Sequence, residues 1–194
     1  RLASGKIPGV TEKTQIIYGT HSPLFVGIDR INQIRLLRKA NNTTGKPKIT
    51  RIISTTLDEV AETIWKADGE PAQKYTGTTL APRLQAIMTP WMSEGFFADV
   101  AVLVEGEDDR AAILGVAKAM GHELESNGLA VIPCGGKTSL DRPAAIFRQL
   151  GIPVYVIWDS DKDANVKPED NHRLLRLMGQ AVTNWPGQIH DQFA

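Results

Sequence analysis

The chain has 194 residues, 42% hydrophobic and 6% aromatic, which allows one sizeable domain plus part of a neighbour. Its one cysteine, Cys134, excludes an internal disulfide framework and suits a reducing, cytoplasmic compartment, and no apolar run approaches the roughly 18 residues of a membrane helix. Zero net charge conceals a split: residues 1–98 hold 13 Lys and Arg against 8 Asp and Glu, whereas residues 99–194 hold 9 against 14. Either this is scatter in a modest sample, or a basic half approaches a polyanion while an acidic half gathers cations.

The opening stretch, RLASGKIPGV, lacks an initiator Met and reads as a piece of a longer protein. QIIYGT, within 14–28, predicts a strand followed by a polar turn at His21-Ser22-Pro23. INQIRLLRKANN (31–42) predicts a second short strand, and the turn-rich NNTTGKPK marks a boundary. Leu57, Val60, Ala61, Ile64 and Trp65 recur at helical spacing, with an N-cap available among Ser54–Thr56. TLAPRLQAIMTPWMSEGFF (79–97) predicts a second helical stretch that Pro90 ends or bends.

From Asp99 the pattern becomes regular. DVAVLV, GLAVIP and IPVYVIWD are continuous apolar runs of the kind buried on both faces of a parallel sheet. DDRAAILGVAKAMGHEL, SLDRPAAIFRQLG and KPEDNHRLLRLMGQAV alternate with them as helices, the last opening at Pro168. Strand–helix alternation implies an α/β fold with right-handed crossovers, whose working residues gather beyond the carboxyl ends of the strands.

The acids fall there. The first of these strands ends on Glu105, with Asp109 one turn into the following helix, and the third ends on Asp159, followed by Ser160 and Asp161. If those strands are neighbours, about 5 Å apart, the four carboxylates can converge on one or two cations, and oxygen-only ligands favour Mg²⁺ or Mn²⁺ over zinc. Glu107 and Asp108 have a simpler explanation in the positive end of a helix, and Asp108 also suits the N-cap. Asp163 reads as a solvated turn residue. CGGKTS (134–139) lacks the glycine that a phosphate loop needs, since position 131 is Val. Its Lys137 can face the carboxylates, balancing charge or holding a substrate phosphate, or can be an ordinary solvent lysine.

FFADVAVLVEGEDD, VIPCGGKTSL and VYVIWDSDKDA resemble the three signature blocks of a Toprim domain, a Rossmann-like metal-binding fold. In detail they are similar to the OLD (overcoming lysogenization defect) nucleases, which join an ABC-type ATPase to a C-terminal Toprim nuclease. QIIYGTHSPLFV resembles the last strand and switch histidine of that ATPase. The resemblance implies residues 1–40 as the end of the ATPase domain, 41–98 as a helical connector and 99–194 as the Toprim nuclease, truncated at its C-terminal end. It implies Glu105, Asp109, Asp159 and Asp161 as metal ligands, Ser160 as support, and Glu105 alternatively as an acid/base group. His21 would sense ATP only in the full-length protein, because Walker segments are absent.

The expected activity is metal-dependent DNA cleavage by a two-cation mechanism, in phage defence or DNA repair, with DNA and the ATPase domain as partners, a homodimer at full length and no membrane. The rivals are a catalytically weak metal- and DNA-binding module and a topoisomerase- or primase-type Toprim domain. A topoisomerase needs a nucleophilic tyrosine, but Tyr18 and Tyr155 fall in apolar strands and Tyr75 in a featureless loop.

Overall fold

Residues 16–69, 74–162 and 167–187 are described by the computed structural model. The expected strand at QIIYGT does not form over residues 16–20, and its first residue, Gln15, lies outside the described residues. The physical reason is the lack of a partner: Ile17 is 95% exposed, and no described strand runs beside it to take up its backbone N–H and C=O groups. The strand expected over 31–42 is shorter, because residues 28–33 wind into 3₁₀ turns first.

β1 (Leu36–Ala40) pairs antiparallel with β2 (Ile49–Ile53), from Leu36 opposite Ile53 to Ala40 opposite Ile49. The 41–98 segment is therefore not purely helical, and the hairpin straddles residue 40. The β-branched run Ile49-Thr50 and Ile52-Ile53 carries the strand preference.

α1 (Leu57–Asp68) begins with a capping box: Thr56 Oγ1 accepts from the Glu59 N–H, and the Glu59 carboxylate accepts from the Thr56 N–H. That backbone hydrogen bond is the main influence holding the Glu59 carboxyl below its ordinary range. The stretch 79–97 splits into α2 (Gly77–Gln85) and α3 (Pro90–Gly95). Pro90 starts the second helix rather than bending the first, since its missing N–H is harmless at N1 and Thr89 caps Met92. A Cβ on Gly95 would overlap the Phe147 ring and Ile132, so glycine permits the close approach of α3 to the sheet.

The remainder follows the expected alternation: β3 (Val100–Val104), α4 (Glu107–Ala119), β4 (Leu129–Pro133), α5 (Asp141–Gln149), β5 (Val154–Val156) and α6 (Glu169–Leu177). The three strands form a parallel sheet in the order β4-β3-β5. This is the mixed α/β, Rossmann-like architecture of a parallel sheet flanked by helices. Ala101 and Leu103 face a large core shared with Val60, Ile64, Leu84, Phe96 and Phe147. Val102 and Val104 face a smaller cluster closed by Ile113 and Leu114 of α4. Burial on both faces explains the uninterrupted apolar run of β3. The helices preceding residue 99 thus share one core with the sheet.

Candidate functional site at the carboxyl end of the parallel sheet

Because β3 is central, its exit is flanked by the exits of both neighbours. The Cys134 N–H donates to the Val104 carbonyl at 3.0 Å, the Gly136 N–H to the Glu105 carbonyl at 2.7 Å, and the Ile157 N–H to the Leu103 carbonyl at 2.9 Å. The ladder is thereby extended past the regular strands, fixing the three loops against one another. Across this mouth Glu105 Oε1 accepts from the Asp159 N–H at 2.8 Å. The adjacency expected of the two strand-ending acids is present.

Gly135 and Gly136 have φ of 78° and 116°, values that side chains disfavour, and this turn swings Lys137 back over the mouth. Lys137 Nζ donates to the Asp159 carbonyl at 2.7 Å and to Asp161 Oδ2 at 3.0 Å. With its side chain only 11% exposed, Lys137 is not a solvent lysine. Asp161 sits in the left-handed region at φ 57°, a conformation that aspartate tolerates better than most residues and that concentrates at functional loops. Its N–H leans toward Asp159 Oδ1 at 3.4 Å.

Ser160 is held through its backbone. The amide of Asn171, a fully buried residue of α6, donates to the Ser160 carbonyl at 2.9 Å and to the Asn184 carbonyl at 2.8 Å. Its oxygen accepts from Trp158 Nε1 at 2.9 Å. Asn171 thus grips the acidic loop from below, a role the sequence reading missed. The available signal was a polar residue in register with Leu174, Leu175 and Met178 on the inward face of α6.

The first turn of α4 differs from expectation. Gly106, not Asp108, is the N-cap, and Asp109 Oδ2 reaches back to accept the Gly106 N–H at 2.9 Å. Glycine has no side chain to cap with, so the acid three residues on satisfies the orphan donor. Glu107, Asp108 and Asp109 are exposed and line a surface depression with Glu105, Gly106, Gly135 and Gly136. Asp163 lies outside the described residues. His21 is elsewhere, its ring 6.4 Å from Phe97, which precedes β3 whereas Glu105 follows it.

Among the described residues, no three side chains of His, Cys, Asp or Glu are grouped closely enough to hold a metal ion. Three of the four acids are engaged: Glu105 with the Asp159 N–H, Asp109 with the Gly106 N–H and Asp161 with Lys137, while Asp159 Oδ1 has the 3.4 Å contact from the Asp161 N–H. The donor chemistry nevertheless fits a hard divalent cation, being all oxygen, partly exposed and drawn from two adjacent strand ends. The chain's one cysteine, Cys134, offers no thiolate, because burial pushes its thiol up to about 12.

Residues 96–161 match the family model described as overcoming lysogenization defect protein-like, Toprim domain. The chain is 28% identical over 150 residues to an OLD nuclease from Thermus scotoductus, covering 77% of this chain and 25% of that protein. It is 24% identical over 163 residues to the Old nuclease of Escherichia phage P2, covering 83% of this chain and again 25% of the relative. The chain spans about a quarter of the length of these curated relatives.

Proposed function

We propose, from the match of residues 96–161 to the OLD-like Toprim family, that this chain carries the cleavage centre of a divalent-cation-dependent DNA endonuclease. The observation that carries the reading is the meeting of Glu105 with the Asp159–Asp161 loop at the exits of adjacent parallel strands. Buried loop anchors hold them there. Glu105, Asp109, Asp159 and Asp161 would hold Mg²⁺ or Mn²⁺, as one ion or a pair, with Ser160 supporting the Asp-Ser-Asp turn. A bound cation supplies charge neutralisation on the phosphate and activation of water for attack at phosphorus.

The chain's own groups divide the remaining work. Asp109 and Asp161 each spend one carboxylate oxygen on a local donor, the Gly106 N–H and Lys137, and keep the other for a cation; a cation beside Asp161 would displace the Lys137 ammonium. Lys137 is then free to pair with a phosphate oxygen of the bound strand. Glu105, hydrogen-bonded to the backbone of both loops, either ligates or moves a proton at its carboxylate. In the complete protein, residues 1–40 would end an ATPase domain, with His21 reading the nucleotide there. Phage defence and DNA repair both suit such an enzyme.

The test is incubation of the chain with supercoiled plasmid in Mg²⁺, Mn²⁺ or EDTA, without ATP, beside Asp159→Ala. Metal-dependent nicking abolished by the substitution is the expected result. Nicking that persists in Asp159→Ala, or in EDTA, overturns the assignment of the acids. Cation binding without nicking by the wild type favours a metal- and DNA-binding module instead. The engagement of Glu105, Asp109 and Asp161 by nearby donors is the observation that keeps this second reading open.

A further inference from the structure

Residues 30–57 contain seven Lys and Arg and no Asp or Glu. This run forms the β1–β2 ribbon, whose strands pair only with each other among the described residues. Residues 41–51, the turn and the start of β2, are exposed throughout. Lys39, Lys46, Lys48 and Arg51 are exposed, and none has a carboxylate partner among the described residues. Arg51 lies directly opposite Arg38, a like-charge pairing that weakens a two-stranded sheet. Arg38 is tied down, to the Ala98 carbonyl and to Asp99 at 3.4 Å, and Arg35 donates to the Asn32 and Ile34 carbonyls ahead of the ribbon. On the outer face Leu37 and Ile52 sit opposite each other at 63% and 69% exposure. A lone hairpin is marginal in water, so outward cations and an outward apolar pair are costs without a return inside the fold.

We propose that this ribbon is a duplex-DNA-binding arm, separate from the acidic mouth. The choice of DNA as the polyanion rests on the nuclease reading above. Phosphates present a regular array to lysine and arginine, and a two-stranded ribbon matches the major groove, about 12 Å wide. Leu37 and Ile52 supply the apolar contact that sugars and thymine methyl groups accept. The anchor point also sets a length. Asp99, holding Arg38, immediately precedes β3, whereas Glu105 follows it, a separation of about 20 Å along the strand. A duplex touching both ends therefore spans about six base pairs at 3.4 Å each.

The test is fluorescence anisotropy with a labelled duplex of about two helical turns, in EDTA, across a salt series. Lys39→Gln, Lys46→Gln, Lys48→Gln and Arg51→Gln together should weaken binding about 100-fold at low salt and flatten the salt slope by about 3–4. Lys46→Gln with Lys48→Gln, confined to the exposed turn and so without risk to the strands, should flatten it by about 2. Lys66→Gln with Lys118→Gln, off the ribbon, should leave it unchanged. Wild-type affinity and slope in the ribbon variants overturn the arm, as does tighter ribbon-dependent binding to phosphatidylserine vesicles than to duplex. Plasmid nicking keeps the two readings apart: ribbon-dependent binding without nicking supports the arm and counts against the nuclease. Normal nicking with ribbon-independent binding does the reverse.

Discussion

Glu105 Oε1 and the backbone N–H of Asp159, 54 residues apart in sequence, are hydrogen-bonded at 2.8 Å across the exits of β3 and β5. The acceptor is one oxygen of a carboxylate, and the donor is the main chain of a second acid. The contact therefore fixes the relative position of two carboxylates without neutralising either.

That arrangement separates two effects of substitution. Glu105→Gln keeps an oxygen for the Asp159 N–H and should leave thermal stability within about 0.5 kcal/mol of wild type. Glu105→Ala loses the contact and should cost about 1 kcal/mol. Under the nuclease reading both should reduce plasmid nicking by about 100-fold or more. Melting curves and a nicking time course on the same preparations check this. A fully active Glu105→Gln enzyme would remove Glu105 from the chemistry.

Lys137 occupies the position of a cation between the Asp159 carbonyl and Asp161. Lys137→Met should lower stability in EDTA by about 1 kcal/mol, or about 2–4 °C in melting temperature for a chain of this size. A divalent cation should recover part of that deficit, because the freed Asp161 carboxylate gains a replacement charge. Differential scanning fluorimetry with and without Mg²⁺ reads it directly. An identical deficit in both conditions would mean that the cation and Lys137 do not share the acids.

Much of this was legible in the sequence because β3, β4 and β5 are buried on both faces and had to be apolar throughout. Ending such runs on Glu105 and Asp159 left two acids with nothing structural to do. The same reasoning failed over residues 16–20, where Ile16, Ile17 and Tyr18 look like a strand but find no described neighbour to pair with. Pairing partners are a tertiary property. It also placed the N-cap of α4 at Asp108, whereas Gly106 fills that position and Asp109 supplies the reciprocal carboxylate, a pairing that spacing alone does not reveal when the cap has no side chain. Asn171 escaped because a single buried amide leaves no periodic trace stronger than the leucines around it.

Asn171 carries a strong prediction about the loop. Replacing it with Leu leaves the Trp158 indole N–H and the Ser160 and Asn184 carbonyls without partners, at about 2–4 kcal/mol in total. The half-buried Trp158 ring then moves more freely, so its fluorescence should shift to the red while the far-ultraviolet dichroism stays native. An unchanged emission spectrum would show that α6 does not restrain the loop.

Cys134 should be chemically quiet. Burial is the main cause that pushes its thiol up to about 12, so almost no thiolate exists at mildly alkaline pH. Iodoacetamide should modify the native protein at least about 100-fold more slowly than the urea-unfolded chain, where the thiol returns to about 8.5. Mass spectrometry of timed aliquots measures the ratio. Comparable rates would mean that the β4 exit opens readily.

Arg173 of α6 faces two buried acids, Asp68 at the end of α1 and Asp141 at the start of α5, with Asp141 Oδ2 at 3.7 Å. Both carboxylates are at most 5% exposed and Arg173 is 26% exposed, so the pairs are poorly screened. Among the described residues, Arg173→Leu leaves Asp68 only Lys74, at 3.6 Å, and Asp141 only Arg142, at 4.0 Å and through its N–H, and should cost about 1.5–3 kcal/mol near neutral pH. The pH dependence follows from Asp141. Burial raises its carboxyl above the ordinary range, against the opposing pull of Arg142 and Arg173. A carboxyl raised on folding contributes stability that is fully present below its unfolded pKa and lost as pH rises through the folded value. Removing Arg173 raises that folded value further, so the deficit of the variant should shrink as pH falls and Asp141 takes up a proton. Urea unfolding of both proteins at about pH 7 and about pH 5 tests the sign. A deficit that is constant or grows toward acid would mean that Arg173 contributes through packing of its stem rather than through its charge.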